Sequence, residues 1–129
     1  MPPFKVVINS KEPGIFIVSL FGSLDTTTHE SFEKEVEPLL TESTKAIVLN
    51  MEGVTYVSSL GIGAVFKVTN IINKLKGTLL LTNLQPQIKK VFETVKALPE
   101  SIFTSIEEVD EYLTEIQKKA LRKDKPSSL

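Results

Sequence analysis

Two adjacent serines, Ser58 and Ser59, stand directly before Leu60-Gly61-Ile62-Gly63. An apolar stretch of strand length precedes them, and a run with helical spacing follows. A strand that feeds a helix through a Ser/Gly turn gathers backbone N–H groups and a hydroxyl at one exposed point. A chemical switch in this chain is expected there. The plain structural role of a serine at a helix start is capping, which contributes about 1 kcal/mol. A catalytic role needs a base, and His29 is the sole imidazole in the chain. It falls in the first turn of a different helix and reads as a surface residue. Gly61-Ile62-Gly63 has the form of half a dinucleotide-binding turn, but Phe66 occupies the third glycine position, and no Gly-Lys-Ser/Thr phosphate loop occurs. A nucleotide-binding or hydrolytic domain built on this turn is therefore a minor alternative.

The composition narrows the chemistry further. There are 129 residues, enough for one domain. Cys is absent, which removes disulfides, thiolate metal sites and Cys nucleophiles; a single His disfavours a zinc site. No metal, cofactor or catalytic residue is expected. No apolar run approaches the ~20 residues of a membrane span, and Met1-Pro2-Pro3-Phe4-Lys5 lacks the apolar core of a signal peptide. A soluble, cytoplasmic protein is expected by elimination. The net charge is −1, unevenly spread: the segment from Gln117 to Leu129 carries five cations against Asp124 alone. The acidic remainder argues against nucleic acid as the main partner.

The elements that must position the serines follow from the pattern. Phe4–Ile8 and Ile15–Phe21 are rich in β-branched and aromatic residues around the turn formers of Asn9–Gly14, and predict a hairpin with a longer loop. Thr27 with Glu30 fits a capping box, so a helix is expected near Thr28, with Phe32, Val36, Leu39 and Leu40 as its buried stripe. Ala46–Leu49 is a fully apolar strand, which points to a central place with parallel neighbours. The long helix runs from about Leu60 to Lys76, and Gly77 marks its stop. Thr78–Thr82 is the next strand, and Pro86 opens a helix carrying Ile88, Val91, Phe92 and Val95. Ser101–Thr104 is at best a short strand. Ser105 and Glu108 form a second capping box before Ile106, Val109, Leu113 and Ile116. Periodicity fades from Lys118 onward. The expected fold is α/β: one domain over residues 1–120, a mixed, mostly parallel sheet of four to five strands and about four helices, with a basic, disordered tail over 121–129.

At about 100° per residue, Val65, Val68, Ile72 and Leu75 form one stripe of the long helix, while Ser59, Ile62 and Phe66 fall on the opposite side. An apolar pair beside a helix N-terminus is a candidate partner surface.

The stretch Asn50-Met51-Glu52-Gly53-Val54-Thr55-Tyr56-Val57-Ser58-Ser59-Leu60-Gly61-Ile62-Gly63 resembles the signature of STAS domains, and most of all that of the bacterial anti-sigma factor antagonists. Gly22-Ser23-Leu24-Asp25 resembles the family's Gly-x-Leu-Asp turn, and Leu84-Gln85-Pro86-Gln87-Ile88 its Leu-x-Pro-x-Val opening of the third helix. The resemblance extends over most of residues 4–116. It implies a regulatory binding module without enzyme activity. The implied partner is an anti-sigma factor that is itself a serine kinase, and the resemblance implies that phosphorylation of the serine at this helix start switches binding off. By position the acceptor is Ser59, with Ser58 as the alternative, and the implied partner surface comprises Asp25, Ser58, Ser59, Leu60, Gly61, Ile62 and Phe66. Two residues depart from the family pattern: Ser58 replaces an Asp and Leu60 replaces a Ser. The same fold without the switch, a constitutive scaffold or adaptor subunit, is the main alternative. Nucleic acid and membrane insertion are not expected, and a weak homodimer is a further assembly to consider.

Overall fold

The computed structural model describes residues 3–97 and 106–124. Strands β1 (Lys5–Glu12) and β2 (Ile15–Leu24) form an antiparallel hairpin. The loop is shorter than the turn formers suggested: β1 continues through the polar residues after Ile8, which an exposed edge strand tolerates, and a register shift between Ser10 and Glu12 absorbs the irregularity. Gly14 takes the left-handed conformation at φ 83°. Its carbonyl accepts from Lys45 N at 2.7 Å and Ala46 N at 3.1 Å, which ties the hairpin turn to the start of the next strand.

Helix α1 (His29–Val36) and a 3-10 turn (Glu37–Leu39) follow. The expected Thr27–Glu30 capping box does not form. Thr28 is the cap residue without a side-chain cap bond, because its hydroxyl instead donates to Ser23 O at 2.7 Å and accepts from Asp25 N at 2.8 Å. Strand β3 spans Ala46–Val57, eight residues beyond the predicted end at Leu49. The polar residues Asn50, Glu52 and Thr55, which read as strand closers, are positions outside the core in a strand that stays paired with β2. The pairing survives through register shifts at Ser19/Phe21 and Gly22/Ser23, and these break the simple alternation. Gly53 is required there: a Cβ would lie 2.5 Å from the Phe21 ring and 2.9 Å from Leu20 O.

Helix α2 (Ser59–Lys74) ends in a Schellman motif, with Gly77 N donating to Ile72 O at 2.9 Å and Lys76 N to Asn73 O at 3.0 Å. The left-handed residue is Lys76, at φ 69°, rather than Gly77. Gly77 is needed for space, since a Cβ would sit 2.8 Å from Thr44 O. Strand β4 (Thr78–Thr82) leads to α3 (Pro86–Ala97), which opens on proline as predicted. Helix α4 (Ile106–Asp124) continues four residues into the stretch assigned to the tail. The expected strand at Ser101–Thr104, the Ser105 capping box and the tail after Asp124 lie outside the described residues.

The sheet order is β1-β2-β3-β4, with β3 parallel to both neighbours and β1 antiparallel at the edge. This is the mixed, mostly parallel α/β arrangement expected. Alternate residues of the strands, Val18, Leu20, Ile47, Leu49 and Met51, share one core with Phe32 and Val36 of α1, Val65, Val68 and Ile72 of α2, Ile88 and Val91 of α3, and Leu113 of α4. Phe21 and Leu80 are exposed. The serine turn thus sits where the central strand hands over to a helix packed against that core.

Candidate phosphoacceptor turn

β3 ends at Val57, and the next residue, Ser58, is the N-cap of α2 in an extended conformation (φ −104°, ψ 175°). Its Oγ accepts from Gly61 N at 3.3 Å, its N–H donates to Leu24 O at 3.0 Å, and its carbonyl accepts from Ile62 N at 2.9 Å. Only 3% of Ser58 is exposed. Capping therefore belongs to Ser58, and Ser59 is the first helical residue. Ser59 and Leu60 are half-buried, and the Ser59 hydroxyl oxygen is shielded from solvent. This corrects the expectation of an exposed hydroxyl; the end of β2 lies against the residues on either side, with Leu24 O accepting from Ser58 N and Leu24 packed on Gly61. Gly61 packs against Leu24 so closely that a Cβ would overlap the Leu24 carbonyl, whereas Gly63 faces open space.

Ile62 also departs from the expectation. The helical spacing places it on a free face, but it is 3% exposed and belongs to the core. A single-stripe wheel assumes that a helix has one packed side. α2 instead contacts α1, β4 and α4, so its buried arc is wider than the stripe. Phe66, the other half of the expected apolar pair, is half-buried and packs edge-to-face on Phe92, with ring centroids 6.1 Å apart at 80°.

Asp25 lies one residue beyond Leu24, whose carbonyl holds Ser58. Its Oδ1 accepts from Thr27 N and Thr27 Oγ1, each at 2.9 Å, so the carboxylate fastens its own turn. His29 is engaged elsewhere: Nδ1 meets Glu33 Oε2 at 3.1 Å, and Glu33 Oε1 accepts from Lys67 Nζ at 2.8 Å. The hydrogen bond from Lys67, followed by that from His29, holds the Glu33 carboxyl below its ordinary pKa against the opposing effect of burial. The same bond raises the pKa of Lys67. Among the described residues no group of three or more His, Cys, Asp or Glu could hold a metal ion, and no helix is long and apolar enough to cross a membrane.

Several residues around the turn were not singled out in the sequence. Among the described residues β3 has no partner strand on its β4 side beyond the Asn50–Thr82 pair, and side-chain amides take over. Gln85 Nε2 donates to Glu52 O at 2.7 Å and Gln87 Nε2 to Thr55 O at 3.3 Å. Gln117 of α4 accepts from Val57 N at 3.1 Å and donates to Val57 O at 2.9 Å. One turn earlier, Thr114 meets the Tyr56 hydroxyl at 2.9 Å. The sequence signal was a polar residue four positions after Leu113, on the buried face of an amphipathic helix.

The arrangement can stabilise an added anion. The first N–H groups of a helix lack intrahelical partners, and the helix dipole favours negative charge at this end. The sequence matches the family described as STAS domain over residues 7–111, which includes β2, the turn and most of the helices. The chain belongs to the STAS domain family. Among its relatives is BtrV of Bordetella bronchiseptica, an anti-sigma factor antagonist by name, 29% identical over 83 residues that make up 64% of this chain and 72% of BtrV. The fold is similar to that of the unphosphorylated Bacillus anti-sigma factor antagonist SpoIIAA, with a TM-score of 0.60 and 21% identity over 85% of this chain and 98% of that one. The murine anion transporter Slc26a9 contains a similar fold within a larger chain: the TM-score is 0.59 and the identity 19%, covering 85% of this STAS protein and 18% of the transporter.

Proposed function

We propose that this STAS protein is an anti-sigma factor antagonist: a cytoplasmic binding module, not a catalyst, that engages an anti-sigma factor and is released from it by phosphorylation at Ser59. The observation that carries the reading is the position of Ser59 as the first residue of α2 inside the STAS match, with Ser58 already occupied as the cap. A phosphate there adds about −1.5 to −2 charge at pH 7. The helix N-terminus tolerates that charge, so the fold persists. A partner seated over the turn meets a strongly hydrated dianion instead of a hydroxyl. An interface penalty of a few kcal/mol weakens binding by one to several decades. Asp25, Leu60 and Phe66 frame the proposed contact surface, while Ile62 supports it from the core.

Ser58 suits the acceptor role less well, because modifying its Oγ would remove the bond from Gly61 N. The shielded Ser59 oxygen and the Ser58 that replaces the family's Asp favour slow phosphorylation. The constitutive adaptor reading is the limit of that trend. Incubation with the anti-sigma kinase and ATP, followed by phosphopeptide mapping, tests the assignment. Phosphate on Ser59 supports it. Phosphate confined to other residues, or none after prolonged incubation, removes the switch and leaves the adaptor.

A further inference from the structure

Val57 is the last residue of β3 and the immediate neighbour of the serine turn. On one side it pairs with Leu24 of β2. On the other side both of its backbone groups are taken by a single side chain, Gln117, 3% exposed, whose amide reproduces one rung of a strand ladder. Gln117 Nε2 is anchored in turn to Leu113 O at 3.1 Å. The Tyr56–Thr114 contact fixes the preceding residue to the same helix. Two consecutive residues before Ser58 are thus held by two residues one turn apart on α4, and α4 also touches α2. Meanwhile the Ser59 oxygen is shielded. A kinase must reach that oxygen, so the turn has to open locally before transfer.

We propose that α4 is a latch on the Ser58–Ser59 turn, with Gln117 as its positioning residue, and that release of the latch governs access to the hydroxyl of Ser59. The physical basis is local opening: a segment held by few bonds to one neighbour opens more often when those bonds are removed, while the rest of the domain stays closed. Without Gln117 the Val57 N–H and C=O lose their buried partners and regain them only by fraying toward water. The regulatory meaning of the latch rests on the phosphoswitch reading. Its existence does not, and the test is independent of any kinase.

The chain has no cysteine, so a Ser59→Cys substitution supplies a unique thiol. Its rate of reaction with a disulfide reagent in folded protein reports access to position 59. Gly63→Cys serves as the open reference, since nothing lies within 4 Å of a Cβ there. The latch predicts that the Ser59→Cys thiol reacts much more slowly than the reference, and that adding Gln117→Leu accelerates it by about tenfold or more, the scale of one or two net hydrogen bonds. Ile72→Val, which loosens the core away from the turn, controls for global destabilisation. Should Gln117→Leu impair folding, Thr114→Val removes only the Tyr56 contact and is expected to accelerate labelling to a smaller extent. Reaction at position 59 as fast as at position 63 with Gln117 intact overturns the proposal. So does acceleration that Ile72→Val reproduces at equal loss of stability, or no acceleration by either α4 variant. A working latch with no phosphate acceptable at Ser59 would instead refute the phosphoswitch.

Discussion

Gly61 and Gly63 lie two residues apart in the same helix, and the structure assigns opposite signs to their replacement by alanine. Helix propensity alone predicts a gain of roughly 1 kcal/mol for each, because glycine is the more costly residue to order. At Gly63 nothing lies within 4 Å of the added methyl, so Gly63→Ala should stabilise the protein by about 0.5–1 kcal/mol. At Gly61 the methyl would overlap the Leu24 carbonyl, which is backbone and already accepts from Ser58 N at 3.0 Å. Relief requires β2 and α2 to separate. Overpacking of this kind costs about 1–3 kcal/mol, and the strained Ser58–Leu24 bond adds about 1 kcal/mol. After subtraction of the propensity gain, Gly61→Ala should be destabilising by about 2 kcal/mol. For a domain of this size that is a fall in Tm of roughly 6–10 °C, against a rise of about 2–5 °C for Gly63→Ala. Urea and thermal melts of the two variants decide the matter. A stabilised Gly61→Ala would show that the end of β2 does not lie against the first turn of α2, and a destabilised Gly63→Ala that position 63 does not face open space.

Other outcomes follow from the same geometry. Ile62→Ala should cost about 2–5 kcal/mol in a denaturant melt, and half-buried Phe66→Ala less than the 3–5 kcal/mol usual for a core Phe; the reverse order would return Ile62 to the surface. Ser58→Ala should cost about 1 kcal/mol, and Ser58→Asp close to nothing, since Asp also caps helices; with the proposed anti-sigma kinase, Ser58→Asp should raise the initial rate of phosphate incorporation at the proposed acceptor Ser59. The Glu33 carboxyl is held below its ordinary value of 4.5 by Lys67 and then His29. Its contribution is therefore complete above that ordinary value and fades as pH falls through the lowered one. Glu33→Gln should lower Tm at pH 7, and the difference should shrink as the pH is brought down through the lowered value, as a series of thermal melts from neutral to acid pH would show.

The order of elements was legible because each strand and helix carried its own local signal. The apolar Ala46–Leu49 run announced a central strand, Pro86 opened a helix and the serine turn announced a strand-to-helix junction. The second half of β3 was hidden because its pairing with β2 passes through register shifts on either side of Gly53, where period-two alternation fails. Ile62 was misread because its burial depends on neighbours that α2 acquires only in three dimensions. The caps show the same division: Ser58 follows from local preference, whereas Thr28 is diverted by a bond to Ser23 five residues away. Gln117 is the extreme case, as its partner lies sixty residues earlier in the chain.

In the proposed switch, charge at Ser59 controls the partner while the domain stays folded. Titration calorimetry of the anti-sigma factor against the native protein, Ser59→Ala and Ser59→Glu tests it most directly, with thermal melts of the same samples. Near-native affinity and Tm are expected for Ser59→Ala, and for Ser59→Glu an affinity at least about tenfold weaker with cooperative unfolding of the domain retained. Native affinity in Ser59→Glu would contradict it, as would a loss of binding that tracks a loss of folding.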